Sequence, residues 1–377
     1  MKRLLCLTPY PMESASERHR IYQFLPYLER AGFVCAVRPF ATPTLFRAIQ
    51  DERLAPKLLH TPFCCLRRAL DLAAIRHYDA VMIHREAFPF LTPLVEKMVL
   101  RRHSRVIFSF DDAVHIGHQD IVAKKYSWIH KLKYGAGVNE VLRQCAHVIA
   151  GNQVLADHAR QFHPRVSIIP TVVDLNRYTC APPKPADEVL TVGWCGSRST
   201  SPYLAGIEPA LRRLSEAHPG RIRFRFYGHP QCKLNLPDFA SLPFSLAAEM
   251  ENLRGMDIGI MPMPSDDWTR GKCGFKTIQY MAMGIPAVAS PVGMACELVQ
   301  QNRNGFLART VDEWFQALHN LVQDAALRRR FAVEGRRTIE RSYSLQVWAP
   351  RLVALFEEIV GDRATTEGRL AVGAACT

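Results

Sequence analysis

No run of about 18 apolar residues occurs in this 377-residue chain, so no transmembrane helix is expected. The eleven cysteines are odd in number and scattered, with Cys64 and Cys65 adjacent. No pair has a convincing metal-ligand spacing, and the pattern fits a reducing compartment with mostly buried thiols. Short-period repeats are absent, which leaves aside solenoids and propellers. Helix-turn-helix, zinc-finger and RNP signatures are absent too, so no nucleic-acid partner is expected despite the basic charge. Acidic residues are in the minority, 35 against 48 Lys and Arg, for a formal net charge of +13.

That excess favours anionic partners, such as a nucleotide or an anionic lipid surface. Residues 1–180 hold 25 Lys and Arg against 15 Asp and Glu, so most of the excess lies in the first half. The length fits two domains of ordinary size, each with its own core. Met1–Leu7 resembles the start of a secretory leader, but its apolar run is short and Pro9-Tyr10-Pro11 ends it; a first strand is expected instead.

The chain reads as two series of alternating strands and helices. In the first, strands are expected at Leu4–Leu7, Phe33–Val37, Ala80–Ile83, Val106–Phe110, His147–Ala150 and Val166–Ile169. Ligands of an open parallel sheet sit beyond the carboxyl ends of its strands. The first such loop, Thr8–Ser16, lacks G-x-G-x-x-G but carries Ser14 and Ser16, with Arg18 and Arg20 just after it. Later strand ends present His84-Arg85-Glu86 and Asp111-Asp112. Two adjacent carboxylates cannot both face a low-dielectric site uncompensated. One is expected to cap a helix or bind an arginine, and the other to bind a hydroxyl or act as a base. His115, His118, Asn152 and Asp174 are further candidates.

Residues 45–78 mix Arg47, Arg53, Lys57, Arg67, Arg68 and Arg76 with Leu, Phe and Ala. Leu66, Leu70, Ala73 and Ala74 form a stripe at helical spacing, so the segment suits an anionic membrane surface. The competing reading is a helix packed on the sheet with its basic residues outward. Lys124–Trp128 and Lys131–Tyr134, where cations alternate with aromatics, also suit a headgroup interface.

Ala181-Pro182-Pro183-Lys184-Pro185 reads as a stiff linker. The second series has strands at Leu190–Cys195, Ile222–Tyr227, Ile258–Met261 and Ala287–Ser290, with a turn and strand at Asn304–Ala308. A polar loop, Gly196-Ser197-Arg198-Ser199-Thr200, follows the first of these, and Gly228-His229-Pro230 follows the second. Helix is expected over Tyr203–Leu214 and over 311–360 with a break near Ser342. Residues 361–377 have no pattern and are expected to fray.

The stretch from Trp268 to Ser290 organises the second half. Arg270, Lys272 and Lys276 fall within seven residues, with Gly271 and Gly274 between them. A helical pattern begins at Phe275, Gly284 ends it and Pro286 bars its return. A basic glycine-containing loop thus opens onto a helix N-terminus, where amide dipoles and cations suit a phosphate. A solvated basic loop is the competing reading.

The run Q-Y-M-A-M-G-I-P-A-V-A-S (Gln279–Ser290) resembles the E-A-M-A-x-G-x-P-V-V-A-S segment of retaining glycosyltransferases of the GT-B type, family 4. The loop R-G-K-C-G-F-K resembles a branch of that family found in bacterial polysaccharide synthesis. Both family glutamates are missing: Gln279 stands at the second and Gly271 at the first. The resemblance implies an α/β fold of two doubly wound Rossmann-like domains facing a cleft. The acceptor domain would span 1–180 and the nucleotide-sugar domain 186–345, with a helix over 346–360 returning to the first domain and a flexible tail, 361–377.

It further implies transfer of a sugar from a nucleoside diphosphate sugar to a hydroxyl acceptor, with retention, on a lipid-linked glycan or polysaccharide precursor. Lys272 and Arg270 would stabilise the departing diphosphate, and Asp111 and Asp112 would serve the acceptor. Gly196, Ser197, Arg198, Ser199, Thr200, His229, Gly274, Phe275, Lys276 and Gln279 would bind the donor. Ser14, Arg20 and His84 would line the acceptor side. No cofactor or divalent metal is expected, and the setting is cytoplasmic, peripheral at the inner face of a membrane. With both glutamates missing, a non-catalytic nucleotide-sugar binding protein is the alternative.

Overall fold

The computed structural model describes residues 1–89, 93–116, 136–180 and 189–361. The linker at 181–185, the cation–aromatic segments near 124–134, His118 and the tail from 362 lie outside the described residues. The chain forms two compact units: Met1–Thr171 with the chain from Trp348 onward, and Val172–Val347.

In the first unit, β1 (Lys2–Thr8), β2 (Phe33–Pro39), β3 (Ala80–His84), β4 (Val106–Phe110), β5 (His147–Ala150) and β6 (Val166–Ile168) make one sheet. Its order is β2-β1-β3-β4-β5-β6, and every pairing is parallel. β3 and β4 are buried along their whole length, as strands covered by helices on both faces must be. The apolar pattern after the first loop breaks into a helix at Ala15–Arg20, a 3-10 turn at Tyr22–Phe24 and a helix at Leu25–Arg30. Pro26 favours this restart, because its missing N–H is tolerated only in a first turn. Ile21, Phe24 and Leu28 are nonetheless all buried. The helix Leu345–Gly361 enters the first unit at Trp348, and its Phe356 packs edge-on against Phe33 at 6.3 Å.

In the second unit, β7 (Leu190–Cys195), β8 (Ile222–Tyr227), β9 (Phe239–Leu242), β10 (Ile258–Met261), β11 (Ala287–Ala289) and β12 (Gly305–Leu307) make a second all-parallel sheet. Its order is β12-β11-β10-β7-β8-β9. Trp194, Phe224, Phe226, Ile260 and Trp314 fill its core. The edge strand β9 has no apolar alternation to announce it and is half-exposed. The helix expected over Tyr203–Leu214 is a 3-10 segment, Ser201–Ile207, followed by an α-helix, Glu208–Ala217, with Pro209 in its first turn. The C-terminal helical region breaks after Ser342, as expected, and also at Asp324, which caps Ala325–Ser342 by accepting from the Leu327 amide at 2.9 Å.

Each sheet has one place where successive connections leave in opposite directions: between β1 and β3 in the first unit, and between β7 and β10 in the second. In open parallel sheets, ligands bind beyond the strand carboxyl ends at such a direction change. Ser16, His84 and Asp111 in the first unit, and Gly196–Thr200, His229 and Lys276 in the second, lie at or just beyond strand carboxyl ends or on the helices that follow them.

Candidate active site

In the second unit, backbone builds the site. β7 runs into Gly196 and β8 into Gly228, which has φ +120°. A Cβ on Gly228 would fall 1.7 Å from the Gly196 carbonyl oxygen, and one on Gly196 would strike the Trp194 ring at 2.1 Å. Only glycine at both positions lets the two loops touch. The Ser197–Thr200 turn closes on itself: the Ser197 amide donates to Thr200 Oγ1 at 3.2 Å, and that hydroxyl donates to the Ser197 carbonyl at 3.2 Å. Ser197, Arg198 and Ser199 are exposed at its tip. His229 Nδ1 lies 2.8 Å from Ser201 Oγ, which ties the turn after β8 to the loop after β7.

The helix Phe275–Ala282 points its N-terminus at the same place. Gly274 stands at its N-cap with φ 62°, and no side chain caps it. The positive end of the helix dipole therefore lies at Gly274–Lys276. Lys276 Nζ reaches Thr200 Oγ1 at 3.5 Å and lies 5.6 Å over the Trp194 ring. Tyr280, one turn on, receives the Cys195 amide on its hydroxyl at 3.0 Å, so the helix is pinned to the end of β7. Gly259 leaves the space for that ring, since a Cβ there would lie 2.5 Å from it. Gly196, Ser197, Thr200, His229, Gly274, Phe275 and Lys276 thus belong to one sheet edge. Lys272 lies 5.1 Å over the Trp268 ring and is half-buried.

Two residues stand elsewhere than expected. Arg270 ends the short helix Asp267–Arg270 and pairs with Asp267 at 3.1 Å, with both side chains more than half exposed. Gln279 is buried, and its amide donates to Tyr178 Oη at 2.9 Å and to Glu249 Oε1 at 3.1 Å. Its two amide protons are used inside the unit, so the side chain is held in place and only its Oε1 could accept from a ribose hydroxyl. Glu249, buried and held by Arg177 at 2.7 Å, was not legible in the sequence. It comes from a separate helix, Glu249–Arg254, and no local motif marks it.

In the first unit, side chains build the site. Ser16 Oγ donates to Asp111 Oδ2 at 2.6 Å and lies 2.8 Å from His84 Nε2. The single hydroxyl proton goes to the carboxylate, so His84 is the Nε2–H tautomer and donates to Ser16. His84 is fully buried. Burial, with Arg20 and Arg85 nearby, pushes its pKa well below the ordinary imidazole range, so the ring is neutral at pH 7. Asp112 takes the arginine: Arg85 approaches its carboxylate at 3.8 Å. Arg85 sits just past β3 with φ 61°, a strained conformation for a long side chain. Glu96 holds that loop, accepting the Ala87 amide at 2.7 Å and the Phe88 amide at 3.2 Å. Burial works against the charge on Arg85, but Asp112, Asp111 and Glu17 outweigh it. Glu17 is wholly buried, which pushes its pKa up to about 7.

The remaining expectations in this unit resolve differently. Ser14 is the N-cap position of Ala15–Arg20 but makes no side-chain capping bond; Ser16 carries the contact instead. Arg20 is buried and donates to the Ile169 carbonyl and to Ser109 Oγ, so it ties helix to sheet. Asn152 caps Gln153–Arg160 by accepting from the Leu155 amide at 2.9 Å. In the second unit Asp174 accepts from the Asn176 amide at 3.0 Å and from Gln346 Nε2 at 2.8 Å, so its carboxylate holds a turn. His115 stacks on His158 at 3.6 Å. Among the described residues no group of three His, Cys, Asp or Glu is arranged to hold a metal ion.

Residues 191–324 match the model of the family described as glycosyl transferases group 1. No curated protein matches the chain. Among solved structures, sucrose-phosphate synthase from Thermosynechococcus elongatus is 15% identical, with 96% of this chain and 100% of that chain covered and a TM-score of 0.68. Anabaena HepE in complex with UDP-glucose is 16% identical over 95% of this chain and 100% of that chain, with a TM-score of 0.67. A glycosyltransferase from Rickettsia africae is 15% identical over 96% and 99%, with a TM-score of 0.65. The chain therefore has the α/β fold of two Rossmann-like units seen in the GT-B glycosyltransferases, and its second unit carries the group 1 sequence pattern over residues 191–324.

Proposed function

We propose that this protein is a glycosyltransferase that moves a sugar from a nucleoside diphosphate sugar to a hydroxyl acceptor, with retention of configuration. The observation that carries the reading is the meeting of Lys276, Thr200 and the Phe275–Ala282 N-terminus at the direction change of the second sheet. Breaking a glycosidic bond to a diphosphate builds negative charge on the leaving group. Fixed cations and aligned amide dipoles lower that barrier without reorganising. Lys276 and Lys272 supply the cations, and the Ser197–Thr200 turn and His229 hold the nucleotide side. Arg270 has a secondary role at most. These fixed charges, rather than a divalent ion, carry the leaving group.

In the first unit, an acceptor hydroxyl donates its proton toward Asp111, with Ser16 and neutral His84 fixing that carboxylate. A buried hydrogen-bonded base of this kind contributes about 10²–10⁴-fold to a proton transfer. The acceptor we favour is a lipid-linked glycan or polysaccharide precursor. HepE, solved with UDP-glucose, makes UDP-sugars the first donors to try. In that test the purified protein releases nucleoside diphosphate from one nucleotide sugar, and Lys272→Ala and Lys276→Ala each lower kcat/KM by about 10²-fold or more. Unchanged turnover in both variants would remove the mechanism. The locked Gln279 and the bare Gly271 favour one other reading, a nucleotide-sugar binding protein without catalysis. Tight donor binding with no turnover across an acceptor panel would select it.

A further inference from the structure

The helix Leu54–Ala74 is built inside out. Its 21 residues make a rod about 30 Å long. From Leu54 to Ala73, every exposed position is apolar: Leu54, Ala55, Leu58, Leu59, Pro62, Phe63, Leu66, Ala69, Leu70 and Ala73. Leu59, Phe63, Leu66 and Leu70 recur at intervals of four, three and four, which keeps them on one face. Leu59 is 76% exposed and Leu66 and Leu70 are each 62% exposed. Single exposed leucines are ordinary, but a stripe spanning five turns with no polar side chain is not.

The polar residues lie on the other side. Arg68 is buried, pairs with Asp71 at 3.2 Å, and donates to the carbonyls of Thr8 and Arg38 at 3.1 Å each. The reading that placed the basic residues outward on a helix packed against the sheet is thus reversed for Arg68. Cys64, packed with Phe40, Leu45 and Phe46, anchors the middle of the helix.

The borders of the apolar stripe are cationic. Lys57 and Arg67 flank it half-buried, Arg53 precedes it, and Arg67 lies 5.9 Å over the Phe63 ring. The helix has one acidic residue, Asp71, engaged by Arg68 and Arg38. A second copy of the chain would set one cationic border against another. An anionic bilayer offers hydrocarbon for the leucines and phosphates for the borders.

We propose that the Leu54–Ala74 helix lies in the plane of an anionic membrane, with Leu59, Phe63, Leu66 and Leu70 in the acyl region and Arg53, Lys57 and Arg67 at the headgroups. Arg68 binds the helix to the ends of β1 and β2, the sheet edge that also carries Ser16, His84 and Asp111. The surface would bring that edge to a bilayer-borne acceptor, but it stands whether or not the protein transfers sugar.

Sedimentation with vesicles tests it without any donor or acceptor. The full chain is mixed with phosphatidylglycerol–phosphatidylcholine vesicles and with pure phosphatidylcholine vesicles, beside Leu59→Asp/Phe63→Asp and Arg53→Glu/Lys57→Glu. All four changes are at exposed or half-exposed positions, and circular dichroism checks the fold. The expected result is at least tenfold stronger partition of the parent to anionic vesicles, a tenfold or larger loss in the apolar variant, and a smaller, salt-sensitive loss in the charge variant. The idea is overturned if the parent stays in the supernatant, or if the apolar variant pellets as the parent does. It is equally overturned if light scattering finds a dimer that the apolar variant dissociates while vesicles bind neither protein.

Discussion

The two units present opposite solutions to the same problem of placing polar chemistry at a sheet edge. In the second unit the parts are backbone: Gly196 against Gly228, a self-closed Ser197–Thr200 turn, and a helix start at Gly274. In the first they are side chains drawn from distant segments: Ser16, His84 and Asp111, backed by Arg85, Asp112 and Glu17. A backbone site suits an anion that is bound the same way each time, because amide dipoles are fixed by the fold. A side-chain cluster suits proton traffic, because its groups can change protonation state.

The largest effect expected to break this contrast is Gly228→Ala. Its methyl would meet the Gly196 carbonyl at 1.7 Å in a conformation that disfavours side chains. Clash and backbone strain together should exceed about 3 kcal/mol, read as a lowered denaturant midpoint. Gly220→Ala is the control, since it has φ +70° and no atom within 4 Å. It should cost only the strain, about 1–2 kcal/mol.

A second test separates the units by function. Asp111→Asn should lower transfer about 10²-fold while UDP affinity, by calorimetry, stays within about twofold. Lys276→Ala should weaken UDP by about tenfold or more, by losing a charge-assisted contact. Equal loss of UDP affinity in both variants would erase the division of labour.

The third prediction concerns pH. Burial raises Glu17 from its ordinary value near 4.5 to about 7. Its contribution is therefore complete below about pH 4.5 and is lost as pH rises through 7, because the folded state holds the proton longer than the unfolded one. Glu17→Gln should remove that loss, gaining about 1–3 kcal/mol over the parent at pH 8 and nothing at pH 4.5. His115 and His147, both depressed to about 4 mainly by burial, act in the opposite direction, losing stability as pH falls below the ordinary imidazole value. The difference between variant and parent isolates Glu17. A flat difference across the range would show that Glu17 does not titrate near neutrality. The smallest effect is expected for Arg270→Ala: its ion pair with Asp267 is exposed, so stability should move by less than about 0.5 kcal/mol.

How much was legible follows the same division. The strands could be read because runs such as Val-Ile-Phe-Ser-Phe are buried on both faces and end in glycine or polar turns. Gly274 and Gly284 mark both ends of the second unit's site helix, and Lys276 follows in register, so that part of the site lay in one stretch of sequence. Glu249 and the pairing of Ser16 with Asp111 did not, since their partners lie 30 and 95 positions away. Arg20 and Gln279 were read as ligand contacts because sequence gives residue type and period but not which neighbour fills the hydrogen bonds.

Local sequence by itself determined the alternation of strand and helix, the two-unit division of labour between apolar runs and polar turns, the basic excess, and the glycine-framed loop of the second unit. These follow from backbone sterics and short-range periodicity, which need no distant partner. Tertiary structure alone decided that His84 is buried and neutral, that Gln279 is held by Tyr178 and Glu249, and that Leu54–Ala74 turns Leu59, Leu66 and Leu70 outward. Each of those depends on which segments the sheet order brings together, and burial and charge are properties of that assembly rather than of any one residue.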